Sequence, residues 1–230
     1  KPAVAFLLIP AHHYGPRKDL KEALSKGEKE IMGNKFLTHY LHYHEYDPIL
    51  QQIEKCGLKN SAEDPVKIIF VPSYLNGDDG IFNLPYYDAL IGFDLTVFPS
   101  YYEPWGYTPL ESLAFSIPTI TTSLTGFGLW VNSKPGLEGN GITVIPRDDF
   151  NDLEVAERVG ETILKVCKST SKQIAESRKN AFEISRIALW ENLISHYWEA
   201  YSIALKRSQK SSVSVYKKER VERLPDANRV

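Results

Sequence analysis

Short continuous runs of apolar residues alternate along the chain with stretches whose apolar residues recur at helical spacing. Continuous runs, rather than strictly alternating ones, are typical of parallel strands that are buried on both faces. The predicted strands are Ala3–Ile9, Val66–Val71, Asp94–Phe98, Pro118–Thr122 and Ile142–Ile145. The predicted helices among them are Lys18–Ser25, Phe36–Lys55, Tyr86–Phe93 and Pro109–Phe115.

The pattern changes after residue 150, where two long helical patterns follow each other, Leu153–Cys167 and Lys172–Leu205. Strands that alternate with helices predict an α/β fold, here a Rossmann-like, doubly wound parallel sheet with a helical carboxyl-terminal extension. We therefore divide the chain into a Rossmann-like domain over 1–150, helices that pack on it over 151–206, and a polar tail over 207–230. The tail has little apolar material to bury, so we expect it to be loose.

Composition and charge narrow the function classes. The 230 residues are 43% hydrophobic and 24% charged, with a formal net charge of −2, so nothing indicates a nucleic-acid partner. No apolar run is long enough to cross a membrane. Cys56 and Cys167 lie far apart without metal-type spacing, which favours a reducing cytoplasm. The chain enters an apolar strand almost directly after Lys1, so we expect it to be cut from something longer.

The segment 94–130 contains the candidate chemistry. A buried strand ends at Phe98, and a polar, aromatic loop leads from there directly into a helix. Thr108 suits the N-cap of that helix, Pro109 suits its first position, and Glu111 lies where a capping box places a carboxylate. In open α/β sheets ligands bind at such junctions, and the free N–H groups of a helix amino terminus suit an anion such as phosphate.

Two carboxylates flank this junction, Glu103 before the helix and Glu111 in its first turn, with seven residues between them. Gly106, between them, lets the backbone approach a ligand closely. Paired carboxylates here would hold sugar and ribose hydroxyls or perform acid–base chemistry. The pattern alone equally allows a plainer interpretation, in which Glu111 only completes a capping box and Glu103 is a solvated loop acid.

Three histidines in one short segment, His39, His42 and His44, suggest a metal site at first sight. The first two are three residues apart and would share one face of the predicted helix. No Cys or Asp cluster accompanies them, and we therefore predict no metal and no other cofactor.

The string FPSYYEPWGYTPLE at Phe98–Glu111 resembles the signature of the glycogen synthases of animals and fungi. The likeness continues in order and spacing at Val66–Leu75 and Ile117–Leu129, and it covers most of residues 1–206. The resemblance implies the carboxyl-terminal half of a GT-B glycosyltransferase, whose two Rossmann-like domains face each other across a cleft. It further implies transfer of glucose from UDP-glucose to the 4-hydroxyl of a growing α-1,4-glucan, with retention of configuration and without a metal.

The same resemblance implies a role for each matching residue. Glu103, with the backbone of Trp105 and Gly106, would hold the glucose hydroxyls and stabilise positive charge at the anomeric carbon. Glu111 would hold the ribose hydroxyls of the donor. The remaining implied contacts are the diphosphate, for the backbone of Tyr107 and Thr108, and the uracil ring, for the side chain of Tyr86.

The sequence also departs from the family. The Arg and Lys that grip the phosphates, and the amino-terminal domain that supplies much of the acceptor site, have no counterpart here. The chain alone is therefore expected to bind UDP-glucose weakly and catalyse little, with the α-glucan acceptor bound through the missing domain. An ADP-glucose-using or other retaining hexosyltransferase and a non-catalytic binding module of the same fold stay open as alternatives. The sequence also leaves open whether the protein forms a homo-oligomer.

Overall fold

The computed structural model of the protein describes residues 3–28, 33–137 and 141–222, with side chains described through residue 208. The strands are β1 (Ala3–Leu8), β2 (His13–Pro16), β3 (His39–Leu41), β4 (Val66–Val71), β5 (Thr96–Val97), β6 (Thr119–Thr122) and β7 (Ile142–Ile145). The helices are α1 (Lys18–Lys26), α2 (Pro48–Lys55), α3 (Tyr86–Leu90), α4 (Tyr107–Ala114), α5 (Gly126–Asn132), α6 (Asp152–Lys168), α7 (Ser171–Ile187) and α8 (Trp190–Glu222). A short 3-10 helix occupies His44–Tyr46.

The strands pair mostly in parallel. β1 pairs with β4, and β5, β6 and β7 form a second parallel sheet in that order, while β2 and β3 form a small antiparallel pair. Helices lie between successive parallel strands in the sequence, so the predicted α/β class is confirmed. Within the described ranges, however, the parallel strands form two hydrogen-bonded sheets rather than the single sheet that the pattern predicted.

The largest apolar core lies between α4, α5, β7 and α7. Its buried members are Leu113, Phe127, Val131, Ile142, Val144, Ala181, Ile184 and Ala188. Gly141 approaches α7 so closely that a Cβ at this position would lie 2.5 Å from the backbone nitrogen of Ala181. Because α4 and α5 both contribute to this core, the residues at their amino ends rest on closely packed material.

The prediction of one helix over Phe36–Lys55 was wrong. The segment instead contains β3, the 3-10 helix and α2, which begins at Pro48. Asp47 caps α2 by accepting hydrogen bonds from the backbone nitrogens of Ile49 and Leu50, both at 3.0 Å. Proline fits the first position of a helix but not its interior, and the residue before it disfavours the α conformation, so no helix continues through this pair.

The prediction of one helical pattern over Lys172–Leu205 also needs correction, because the chain leaves the helix after Ile187 and begins α8 at Trp190. The backbone of α8 then remains helical to Glu222, across much of the tail that we expected to be loose. Residues 223–230 lie outside the described residues. The predicted boundaries of the domain at 1–150 and the helices at 151–206 stay a prediction. Among the described residues, every helix is too short or too polar to span a membrane.

Candidate functional site

The amino terminus of α4 is open. The helix begins at Tyr107, one residue earlier than predicted, and Gly106 is its N-cap with φ 110° and ψ 74°. Thr108 therefore lies inside the first turn, and the prediction that it caps the helix was wrong. No side chain caps this terminus, so Glu111 forms no capping box either. The left-handed conformation of Gly106 is the physical reason, since it turns the loop directly into the helix.

Glu103 is fixed through its backbone rather than its side chain. Its nitrogen donates to the carbonyl of Leu124 at 3.2 Å, and its carbonyl accepts from Gly126 at 3.0 Å. One step further on, the nitrogen of Phe127 donates to the carbonyl of Trp105 at 2.6 Å. These bonds attach the loop that contains Glu103 to the start of α5. The segment that follows β5 is thus held by the segment that follows β6.

The Glu103 carboxylate lies beside the open end of α4. Its Oε2 atom is 3.5 Å from the Ser100 hydroxyl and 3.5 Å from the place that a Cβ on Gly106 would occupy. The side chain is partly buried. A carboxylate in this position, next to unpaired helix N–H groups, brings negative charge and anion-binding donors into one place. Such a pair of opposite features suits a substrate that separates charge as it reacts.

The side chain of Trp105 supports the site by packing against α5. Its ring makes an edge contact with Phe127 at 5.6 Å between centroids and lies 6.0 Å from the Trp130 ring. It contacts the apolar core from the outside. The indole therefore anchors the loop, and the backbone of Trp105 and Gly106 is the part that borders the open helix terminus.

Glu111 contacts an aromatic group on α3 that the sequence analysis did not single out. The Tyr87 hydroxyl donates to Glu111 Oε1 at 3.1 Å, and this bond raises the pKa of Tyr87. Tyr86, the predicted uracil contact, lies next to it with ring centroids 5.4 Å apart. Burial, followed by the charge of Glu111, raises the pKa of Tyr86. Both phenols therefore stay protonated at neutral pH, and the structure brings Tyr86 and Glu111 to the same region.

A second missed residue, Arg147, connects the loop before Glu103 with α6. Its guanidinium donates to the carbonyl of Pro99 at 2.5 Å, pairs with Asp152 at 2.7 Å, and lies 3.5 Å from the ring centroid of Tyr101. The Tyr101 hydroxyl completes this cluster by donating a hydrogen bond to Asp152 at 2.6 Å. The Arg147 side chain is only 8% exposed. We call Arg147, Tyr101 and Asp152 the loop clamp.

The loop clamp predicts a pH-dependent contribution to stability. The Tyr101 hydroxyl, and after it Arg147, hold the pKa of Asp152 below its ordinary value. A lowered folded pKa stabilises the protein above the unfolded pKa of about 3.9, and this contribution disappears as pH falls through the folded pKa. Asp152→Asn should therefore be less stable than the unsubstituted protein at neutral pH, and the difference should shrink as the pH falls from about 5 towards 2.

Urea unfolding over that pH series measures the difference, with the exposed neighbour substitution Asp149→Asn as the matched control. A stability difference that stays constant across the series would show that the charge of Asp152 has no part in the clamp.

The histidines do not share a helix face, because His39 lies in β3. His39 is buried, with Nδ1 2.8 Å from the Thr38 hydroxyl and Nε2 2.9 Å from the carbonyl of Asp79. The ring of His42 instead contacts Tyr14 in a tilted arrangement, with 3.9 Å between the ring centroids and 33° between the planes. In the part of the chain that the structure describes, no three His, Cys, Asp or Glu side chains come close enough to hold a metal ion.

Comparison with known proteins identifies the family of the chain. Residues 19–228 match the sequence model of a family described as glycogen synthase. The chain is 31% identical over 206 residues to glycogen [starch] synthase isoform 1 of Saccharomyces cerevisiae, covering 83% of this chain and 29% of that protein. It is 35% identical over 162 residues to glycogen [starch] synthase of Caenorhabditis elegans, covering 70% and 24%. The liver enzyme of Mus musculus is 33% identical over 172 residues, covering 74% and 24%.

These matches show the family of the chain. It belongs to the glycogen synthase family. The chain spans about a quarter to three tenths of the length of the curated relatives it matches.

Solved structures resemble the chain more distantly. A crystal structure of a GtfA/B complex matches with a TM-score of 0.47 and 14% identity, over 87% of this chain and 35% of that one. The structure of Anabaena HepE in complex with UDP matches with a TM-score of 0.43 and 16% identity, over 88% and 48%.

Proposed function

We propose that this chain is the donor-binding part of a glycogen synthase, which transfers glucose from UDP-glucose to the 4-hydroxyl of an α-1,4-glucan with retention. The observation that supports this most strongly is the open amino terminus of α4, with Glu103 beside it and Glu111 free of any capping role. The plainer interpretation of Glu111 as a capping residue loses its basis, because that capping box is absent.

The proposed reaction develops negative charge on UDP and positive charge at the anomeric carbon, and the site has a group that stabilises each of these charges. The bond from the anomeric carbon to the phosphate oxygen breaks, and UDP leaves with the electron pair. The backbone N–H groups of Tyr107 and Thr108, at the positive end of the helix dipole, stabilise that developing negative charge. Glu103 stabilises the positive anomeric carbon from the other side. The 4-oxygen of the acceptor bonds to that carbon, and its proton passes to the departing phosphate.

The other proposed contacts select the donor. Glu111 accepts hydrogen bonds from the ribose hydroxyls, and Tyr86 stacks on the uracil ring. The helix terminus neutralises phosphate charge without a metal ion, so we expect none to be required. Cys56 and Cys167 are both free thiols, which fits a reducing cytoplasm as the place of action. The glucan acceptor is expected to bind mainly outside this chain.

A transfer assay tests the proposal. The intact protein is incubated with glycogen and radiolabelled UDP-glucose or ADP-glucose, and the label in precipitated polymer is counted. We expect UDP-glucose to be preferred roughly tenfold or more, and an α-1,4-specific glucosidase to release the label. Preference for ADP-glucose would favour the alternative donor, and no transfer from either would favour a non-catalytic module.

A further inference from the structure

Tyr87 joins α3 to one face of α4 at two points. Its ring stacks on Phe115 with centroids 5.4 Å apart and planes inclined by only 14°, and its hydroxyl donates to Glu111 Oε1 at 3.1 Å. Glu111 and Phe115 are four residues apart, so they lie on the same side of the helix. One tyrosine therefore contacts both, and the stacked ring fixes where its hydroxyl points.

This contact restricts a side chain that would otherwise be mobile. A partly exposed glutamate loses considerable rotamer freedom when it is held in one position. An ionised carboxylate accepts about four hydrogen bonds, and Tyr87 uses one of them on Oε1. Oε2 and the remaining acceptor positions stay available for a ligand with two neighbouring hydroxyl groups. Tyr87 and the hydroxyls of such a ligand all donate to the carboxylate, and its separate acceptor positions accommodate them together.

We propose that Tyr87 is a positioning residue that sets specificity for ribonucleotide donors, because it orients Glu111 to accept hydrogen bonds from both ribose hydroxyls. This inference rests on the proposed function, in which Glu111 meets the ribose. Tyr86, the adjacent residue on α3, is then close enough for one short helix to supply both the base contact and the orientation of the ribose contact.

The competing explanation is that Tyr87 only holds α3 and α4 together. Its stacked ring and its hydroxyl can be tested separately, and this distinguishes the two explanations. Tyr87→Phe keeps the ring that stacks on Phe115 and removes only the hydroxyl. Tyr87 is 46% exposed, so its hydroxyl is replaced by water without leaving a buried polar atom behind. A structural role should therefore survive this substitution, whereas an orienting role should not.

The test uses the intact protein and two ligands, UDP and 2′,3′-dideoxy-UDP, titrated by calorimetry. The quantity of interest is the ratio of their dissociation constants. Tyr87→Phe should lower the preference for UDP roughly threefold to tenfold, the range of one hydrogen bond, with an unchanged melting temperature. The matched control is Tyr197→Phe on α8, because Tyr197 is 47% exposed and its ring packs on Trp190 and Tyr201 of the same helix.

A double substitution tests whether the effect of Tyr87 depends on Glu111. Glu111→Ala should remove the preference for UDP over the dideoxy analogue, and adding Tyr87→Phe to it should change the ratio no further. An unchanged ratio in Tyr87→Phe, or an equal loss in Tyr197→Phe, would overturn the inference while leaving UDP binding and the proposed function intact. Absence of UDP binding by the unsubstituted protein would instead overturn the proposed function, and this inference with it.

Discussion

Glu103→Ala is expected to lower glucose transfer by the intact protein roughly a hundredfold to a thousandfold, with little change in UDP affinity. Removing one preorganised group that stabilises charge in the transition state typically has an effect of this size. The proposed UDP contacts are made by Tyr86, Glu111 and the backbone at the start of α4 rather than by Glu103, so binding of the nucleotide should persist. Glu103→Gln, which keeps the shape and loses the charge, should behave nearly as Glu103→Ala does.

The measurements are the initial transfer rate and the dissociation constant of UDP for each variant. Glu157→Ala on the exposed side of α6 is the control, because it removes a carboxylate far along the chain from the site. A Glu103→Ala rate within a fewfold of the unsubstituted rate would contradict the role of this carboxylate at the anomeric carbon. A parallel loss of UDP binding would instead indicate that the substitution distorts the loop.

Gly126→Ala is expected to destabilise the protein by about 1–3 kcal/mol, the usual range for forcing atoms into packed material. A Cβ on Gly126 would collide with the carbonyl oxygen of Pro104 and lie 3.2 Å from the Cα of Trp105. Both neighbours are backbone atoms of the loop that contains Glu103, so neither yields without moving that loop. For a chain of this size the melting temperature should fall by about 2–12 °C, and transfer activity should fall further than unfolding explains.

Gly160→Ala supplies the control for this experiment. Gly160 lies inside α6, and an added Cβ would meet nothing within 4 Å. Alanine has the higher helix propensity, so this variant should be unchanged or more stable by up to about 1 kcal/mol. Equal melting temperatures for Gly126→Ala and the unsubstituted protein would show that the loop accommodates the methyl group, and would remove the argument that Gly126 holds Glu103 in place.

Much of the strand framework could be predicted from the sequence. The bounds of β4 and β7 agree with the predicted runs, because continuous apolar runs between turn residues are a strong signal for buried strands. Helix α5 was not predicted, because Gly126 and Gly128 are poor helix formers. Thr125 starts this helix by accepting a hydrogen bond from the nitrogen of Gly128 at 2.9 Å. Close packing, rather than helix propensity, explains these glycines.

The roles of the candidate site residues stay predictions, but part of their arrangement follows from the sequence. Glu103 and Glu111 lie in one short segment with a distinctive local pattern, and the structure has Glu103 in the loop before α4 and Glu111 inside the helix, past its first turn. Tyr87 contacts Glu111 from 24 residues away, and Tyr101 contacts Asp152 from 51 residues away. Such contacts depend on how the strands and helices are arranged, and no local spacing indicates them. The start of α4 is set by the left-handed conformation of Gly106. The sequence indicated a later start, because Thr108 and Pro109 suit the first positions of a helix.

The central claim is that the open end of α4, together with Glu111 further along the same helix, binds a uridine nucleotide. Calorimetric titration of the intact protein with UDP and with ADP, repeated on Glu111→Ala, tests it most directly. The account predicts saturable binding that is tighter for UDP than for ADP and that weakens roughly tenfold or more in Glu111→Ala, as expected for lost hydrogen bonds to a charged group. Equal binding of UDP by Glu111→Ala and by the unsubstituted protein would contradict it.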